Sequence, residues 1–92
     1  MIEVKQTAGG DPLRFAVAVA EDETTTCHEV TMSTMDYERL AQGRTPEQVI
    51  KAAFRFLLDR ESKESILNRF DVTVIGTYFP EFEQELPEYL SV

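Results

Sequence analysis

The sequence predicts a two-layer α+β domain: a three-stranded antiparallel β-meander with three or four helices packed on one of its faces. Three observations carry this. The first third of the chain alternates apolar and polar side chains with period two. From Thr34 onward the spacing of apolar residues becomes helical. The stretch from Arg44 to Arg69 opens on Thr45-Pro46-Glu47-Gln48, a helix start. It then runs through Val49, Ile50, Ala52, Ala53, Phe54, Phe56, Leu57 and Leu58, so apolar that most of its circumference must be covered.

The strands are expected at about 2–6, 13–20 and 25–33. Ile2 and Val4 face one way, with Glu3 and Lys5 opposite. Ala8-Gly9-Gly10-Asp11-Pro12 is a turn-forming cluster. Leu13, Phe15, Val17 and Val19 then share a face whose reverse carries Arg14 and three alanines. After the acidic turn Glu21-Asp22-Glu23, Thr26, His28, Val30 and Met32 oppose Cys27, Glu29, Thr31 and Ser33. Short connections make these strands antiparallel, with one face buried.

The helices are expected at about 35–42, 46–60 and 63–70, with a fourth at 72–79. Ser33 or Thr34 caps the first, and Gly43 sits where it should stop. Thr45 and Gln48 form a capping box for the second, with Pro46 at its first position. Lys51 and Arg55 occupy its wet edge, and Asp59 is spaced to pair with Arg55. Ser62 caps a shorter helix bearing Ile66, Leu67 and Phe70. Residues 71–79 fit either a strand, by composition, or a helix capped by Asp71 and stopped by Pro80. The helix is preferred because strand alternation there would separate the large side chains. Residues 80–92, acidic and aromatic with two prolines, are expected to form an irregular wrap or a loose end.

Composition bounds the function. The 92 residues are expected to make a single domain, 1–92, with 42% hydrophobic residues. One cysteine excludes an intramolecular disulfide, and with a single histidine it excludes a cysteine-histidine zinc site. MIEVKQTAGG lacks the basic and apolar regions of a signal peptide, and no apolar run is long enough to span a bilayer. A cytoplasmic location without membrane attachment is expected. The net charge of −8 disfavours nucleic acid. Its distribution is acid–base–acid. Residues 1–38 hold two basic and eight acidic groups, residues 39–69 seven and four, and residues 70–92 none and five. Internal complementarity is the simplest reading. A basic patch of Arg39, Arg44, Lys51 and Arg55 that binds an anionic partner or nucleic acid is the alternative.

Candidate chemistry is sparse. His28 is predicted to face the helices as a packed, hydrogen-bonded group. The alternative makes it the centre of a pocket, in a small enzyme or ligand binder that uses an acid or arginine from the helical layer. Cys27 and Glu29 point the other way, so neither forms a dyad with it. Glu21-Asp22-Glu23 lacks the spacing and glycine of a calcium loop. No glycine-rich phosphate cradle is present. No cofactor, metal or catalytic residue is assigned. The aromatics cluster late: Phe70, Tyr78, Phe79, Phe82 and Tyr89 are five of nine. Those that cannot reach the core would leave an interface-like patch. The candidate partner-binding residues are therefore Arg55, Arg60, Tyr78, Phe79 and Phe82. The expected function is a non-enzymatic protein-interaction or regulatory domain whose partner is another protein or a second copy of the chain, as a homodimer.

Three fragments together, Thr26-x-His28-x-Val30-Thr31, Phe54-Arg55-Phe56-Leu57-Leu58-Asp59-Arg60-Glu61 and Ile75-x-x-Tyr78-Phe79-Pro80-Glu81, resemble small bacterial proteins of similar length without assigned function. The similarity spans about Phe15 to Phe82. It implies a bacterial cytosolic protein, favours the helical reading of 71–79, and implies no catalytic residue or named activity.

Overall fold

Alternation in the first third of the chain becomes a sheet. A computed structural model describes residues 1–91. Strands β1 (Ile2–Ala8), β2 (Leu13–Glu21) and β3 (Thr24–Met32) form the expected antiparallel meander. On β2 and β3 the residues predicted to face inward, from Leu13, Phe15, Val17 and Val19 to His28, Val30 and Met32, are buried. Asp22 and Glu23 close the second hairpin with φ of 55° and 65°, the two left-handed centres of a tight turn whose twist matches the strands.

Helix α1 (Thr34–Leu40) starts where Ser33 Oγ accepts from Asp36 N at 3.0 Å. Helix α2 (Pro46–Leu58) carries the complete capping box: Thr45 Oγ1 accepts from Gln48 N at 3.2 Å, and Gln48 Oε1 accepts from Thr45 N at 2.8 Å. Val49, Ile50, Ala53, Phe54 and Leu57 are buried, with Ala52 and Phe56 widening the stripe. This helix crosses the meander and supplies the centre of the core.

Three expectations fail after Leu58. The helix predicted at 63–70 is only a short 3-10 turn, Lys63–Ser65, followed by a fourth strand, β4 (Arg69–Asp71). β4 pairs in parallel with β3, so the sheet is four-stranded and mixed, in the order β1-β2-β3-β4. The cause is the open edge of β3, whose backbone groups need partners. Asn68 O accepts from Glu29 N at 2.7 Å, and Thr31 O accepts from Val72 N at 2.9 Å. A helix at 63–70 would satisfy itself and leave that edge bare. Helix α3 (Thr73–Tyr78) then occupies most of the span predicted at 72–79.

The tail is not a loose end. Helix α4 (Phe82–Leu90) packs Phe82, Leu86 and Leu90, four residues apart, into the core beside α2. It tolerates Pro87, which forfeits one backbone bond, because the burial of that stripe outweighs the loss. Among the described residues, no helix is long and apolar enough to cross a membrane.

Candidate functional site

The structure separates the residues singled out from the sequence. Arg60 and Phe82 belong to the joint between α2 and α4. The Arg60 guanidinium carbon lies 3.7 Å above the Phe56 ring. Arg60 Nε donates to Glu81 at 3.1 Å and Nη2 to Glu85 at 2.7 Å. Phe82 is buried edge-on to Phe56 at 5.1 Å. Asp59 accepts from the Tyr89 hydroxyl at 2.6 Å instead of pairing with Arg55. Arg55 and Lys51 border a shallow hollow beside Met1 and Ile2.

The acid–base–acid pattern resolves in part inside the molecule, through three of the seven cations of 39–69. Arg39 bonds Asp36 and Glu83, Arg60 takes two acids of α4 and its approach, and Arg69 reaches Glu29 at 3.1 Å. Arg44 Nε donates to Leu90 O at 3.0 Å. Only Lys51 and Arg55 of the four proposed patch cations are left without such a bond among the described residues.

His28 is 2% exposed and its ring lies 5.4 Å from that of Phe54. Both nitrogens are engaged: Nδ1 is 2.7 Å from Leu67 O, and Nε2 is 2.8 Å from Thr26 Oγ1. A carbonyl only accepts, so Nδ1 carries the hydrogen, and in the neutral ring the threonine hydroxyl donates to Nε2. No nitrogen is left over to exchange a proton with a substrate. The residue ties β3 to the segment leading into β4.

Asp71 makes a similar tie. Burial opposes ionisation of its carboxyl, but bonds from Thr31 Oγ1 at 2.6 Å, Thr73 Oγ1 at 2.7 Å and Thr73 N at 3.1 Å outweigh it and hold the pKa below the ordinary carboxylate value. A lowered folded pKa contributes stability above the unfolded value and loses it as pH falls through the folded one. Asp71→Asn should therefore cost stability near neutral pH and cost less at about pH 3, in urea titrations of both proteins at each pH.

Tyr78 and Phe79 line a real depression. With Ile66, Leu67, Phe70 and Val74 they form an apolar groove of about 220 Å³ between the 3-10 turn and α3. Tyr78 is 67% exposed and Leu67 47% exposed, two of the four exposed large hydrophobics among the described residues. Glu61 stands at its wall. Burial pushes the Glu61 carboxyl above its ordinary range, and among the described residues it has no ion-pair partner. Leu67 and Glu61 were not singled out from the sequence. The expected helix at 63–70 contains the first and the expected helix at 46–60 ends just before the second. They share a wall with Tyr78 because the chain leaves the 3-10 turn through bends at Ile66 and Asn68 and enters β4 instead of continuing as a helix.

The outer face of the sheet is open to solvent around Ala16, Ala18 and Cys27. Among the described residues no group of three or more His, Cys, Asp or Glu is placed to hold a metal ion. No protein-family model matches this chain, and no curated protein and no solved structure matches it.

Proposed function

We propose that this chain is a non-enzymatic protein-interaction domain, and that its docking surface is the groove between the 3-10 turn and α3. The occupant is a segment of another protein that sets an apolar side chain beside a lysine or arginine. One observation carries this: an apolar groove with exposed Leu67 and Tyr78 has at its wall a single, partly desolvated and unpaired carboxylate, Glu61. The apolar part of the groove gains by being covered. The carboxylate gains only from a cation, and the net charge of −8 draws a basic segment toward it. The engaged nitrogens of His28 favour this reading over a His28-centred enzyme. The resemblance to small bacterial proteins adds no residue to it.

The test is binding of a Leu/Arg amphipathic peptide against its Leu/Glu counterpart, followed by amide shifts in nuclear magnetic resonance. The basic peptide is expected to move Leu67, Val74 and Tyr78, and the acidic one to move none. Tyr78→Ala should weaken binding about 30-fold, the scale of an aromatic anchor, while changing stability within about 0.5 kcal/mol. Glu61→Gln should weaken binding and stabilise the free protein at neutral pH. The sign follows from the raised pKa: the folded state penalises the charged form once pH exceeds the unfolded value. Equal response to both peptides, or binding that ignores Tyr78→Ala, would reject the proposal.

A further inference from the structure

The first strand ends the sheet, and its free edge is written in a self-complementary register. Met1 and Ala20 exchange two backbone hydrogen bonds, Met1 N to Ala20 O at 2.7 Å and Ala20 N to Met1 O at 2.8 Å. Such pairs alternate along an antiparallel ladder. Glu3/Ala18 and Lys5/Ala16 are thus the next bonded pairs, and the N–H and C=O groups of Ile2, Val4 and Gln6 point away from β2. The edge is long enough to matter, at seven residues against three for β4 at the other side of the sheet. It is also incompletely covered: Ile2 and Val4 are half-buried where their neighbours Val19 and Val17 are buried, and Met1 is 73% exposed.

We infer that a second copy of this chain pairs with β1 edge to edge, with Val4 on the two-fold axis, to make one continuous eight-stranded sheet. Only registers that set even-numbered residues opposite one another use the outward groups. Centring the axis on Glu3 sets two glutamates face to face, and centring it on Lys5 sets two lysines face to face. Centring it on Val4 makes Val4/Val4 and Ile2/Gln6 the bonded pairs. Glu3 then lies opposite the second copy's lysine at position 5, twice over, at the non-bonded positions where side chains are closest. Like net charge opposes the encounter, but screening over about 8 Å at physiological salt suppresses repulsion between the two bodies and leaves the contact pairs attractive. The surface is distinct from the groove, so failure here leaves the groove reading untouched.

The experiment is sedimentation velocity from micromolar to millimolar concentration. The mass should rise from 10.5 kDa toward twice that value. Lys5→Glu sets glutamates opposite at both contacts, and Glu3→Lys sets lysines. Each should weaken the dimer about 10-fold or more with unchanged circular dichroism. Mixed in equal amounts, the two variants regain opposite charges at both contacts and should form a heterodimer. Val4→Pro removes an outward N–H without touching the ladder to β2 and should also leave a monomer. A parent that stays monomeric over the whole range overturns the inference. So does a dimer indifferent to these substitutions, and so does a mixture of the two charge variants that fails to associate.

Discussion

Phe56→Ala is expected to lower the unfolding free energy by about 3–5 kcal/mol, which is most of what a marginal domain has within the usual ~5–15 kcal/mol. Its ring is fully buried and is met edge-on by Phe79 at 5.9 Å, Phe82 at 5.1 Å and Tyr89 at 5.7 Å. Each such pair adds to the area term. The Arg60 guanidinium covers the ring, so the substitution also strips the cation of its platform while Glu81 and Glu85 still hold it in place. Every one of these partners except Arg60 lies in or beside α4. The damage should therefore be local before it is global. Hydrogen exchange should accelerate first across Phe82–Leu90, with β2 and β3 protected until the whole domain opens. Phe54→Ala offers the contrast. That ring packs against His28 and Phe70 at 5.4 and 6.0 Å, so a comparable loss should appear first around β4. A urea midpoint close to that of the parent for Phe56→Ala, or uniform acceleration in both variants, would contradict this division of the core.

The same division explains what could be read from the sequence. Helix α2 was legible because its start and its buried stripe both lie within one contiguous stretch: Thr45, Pro46 and Gln48 act on neighbouring backbone, and Val49 to Leu57 repeat at one period. The meander was legible for the same reason, since Leu13, Phe15, Val17 and Val19 fix a face without reference to distant residues. β4 was not legible. Three residues show no period, and Arg69–Asp71 is extended because Glu29 and Thr31, forty residues earlier, need partners for their backbone. In the tail, Pro80, Pro87 and four glutamates outvoted the Phe82, Leu86, Leu90 stripe. Glu81 and Glu85 are accommodated there by Arg60, which the sequence places in another element. The candidate groove inherits both difficulties. Its aromatic surplus, Tyr78 and Phe79, was visible. Its wall, Leu67 with Glu61, exists only after the long-range pairing of β3 and β4 has fixed the course of the chain that leads into β4.

That dependence makes His28 the residue where fold and groove meet. His28→Ala is expected to cost about 3 kcal/mol or more, from the void beside Phe54 and from the lost bonds to Leu67 and Thr26. His28→Leu separates the two contributions. It refills much of the volume and leaves the Leu67 carbonyl without its donor, at about 1–3 kcal/mol. The informative readout lies away from position 28. His28 Nδ1 holds the carbonyl of the same Leu67 whose side chain lines the groove, so either variant should raise amide exchange over 67–71 and weaken capture of the basic peptide. Tyr78→Ala, by contrast, should weaken capture without disturbing that exchange. His28→Asn can present an amide N–H near the position of Nδ1, and its partial recovery of both signals would identify the hydrogen bond, not the ring, as the positioning element. Should His28→Leu melt with the parent and keep 67–71 protected, the imidazole would be mere filling, and the groove would owe its shape to the packing of its own lining residues.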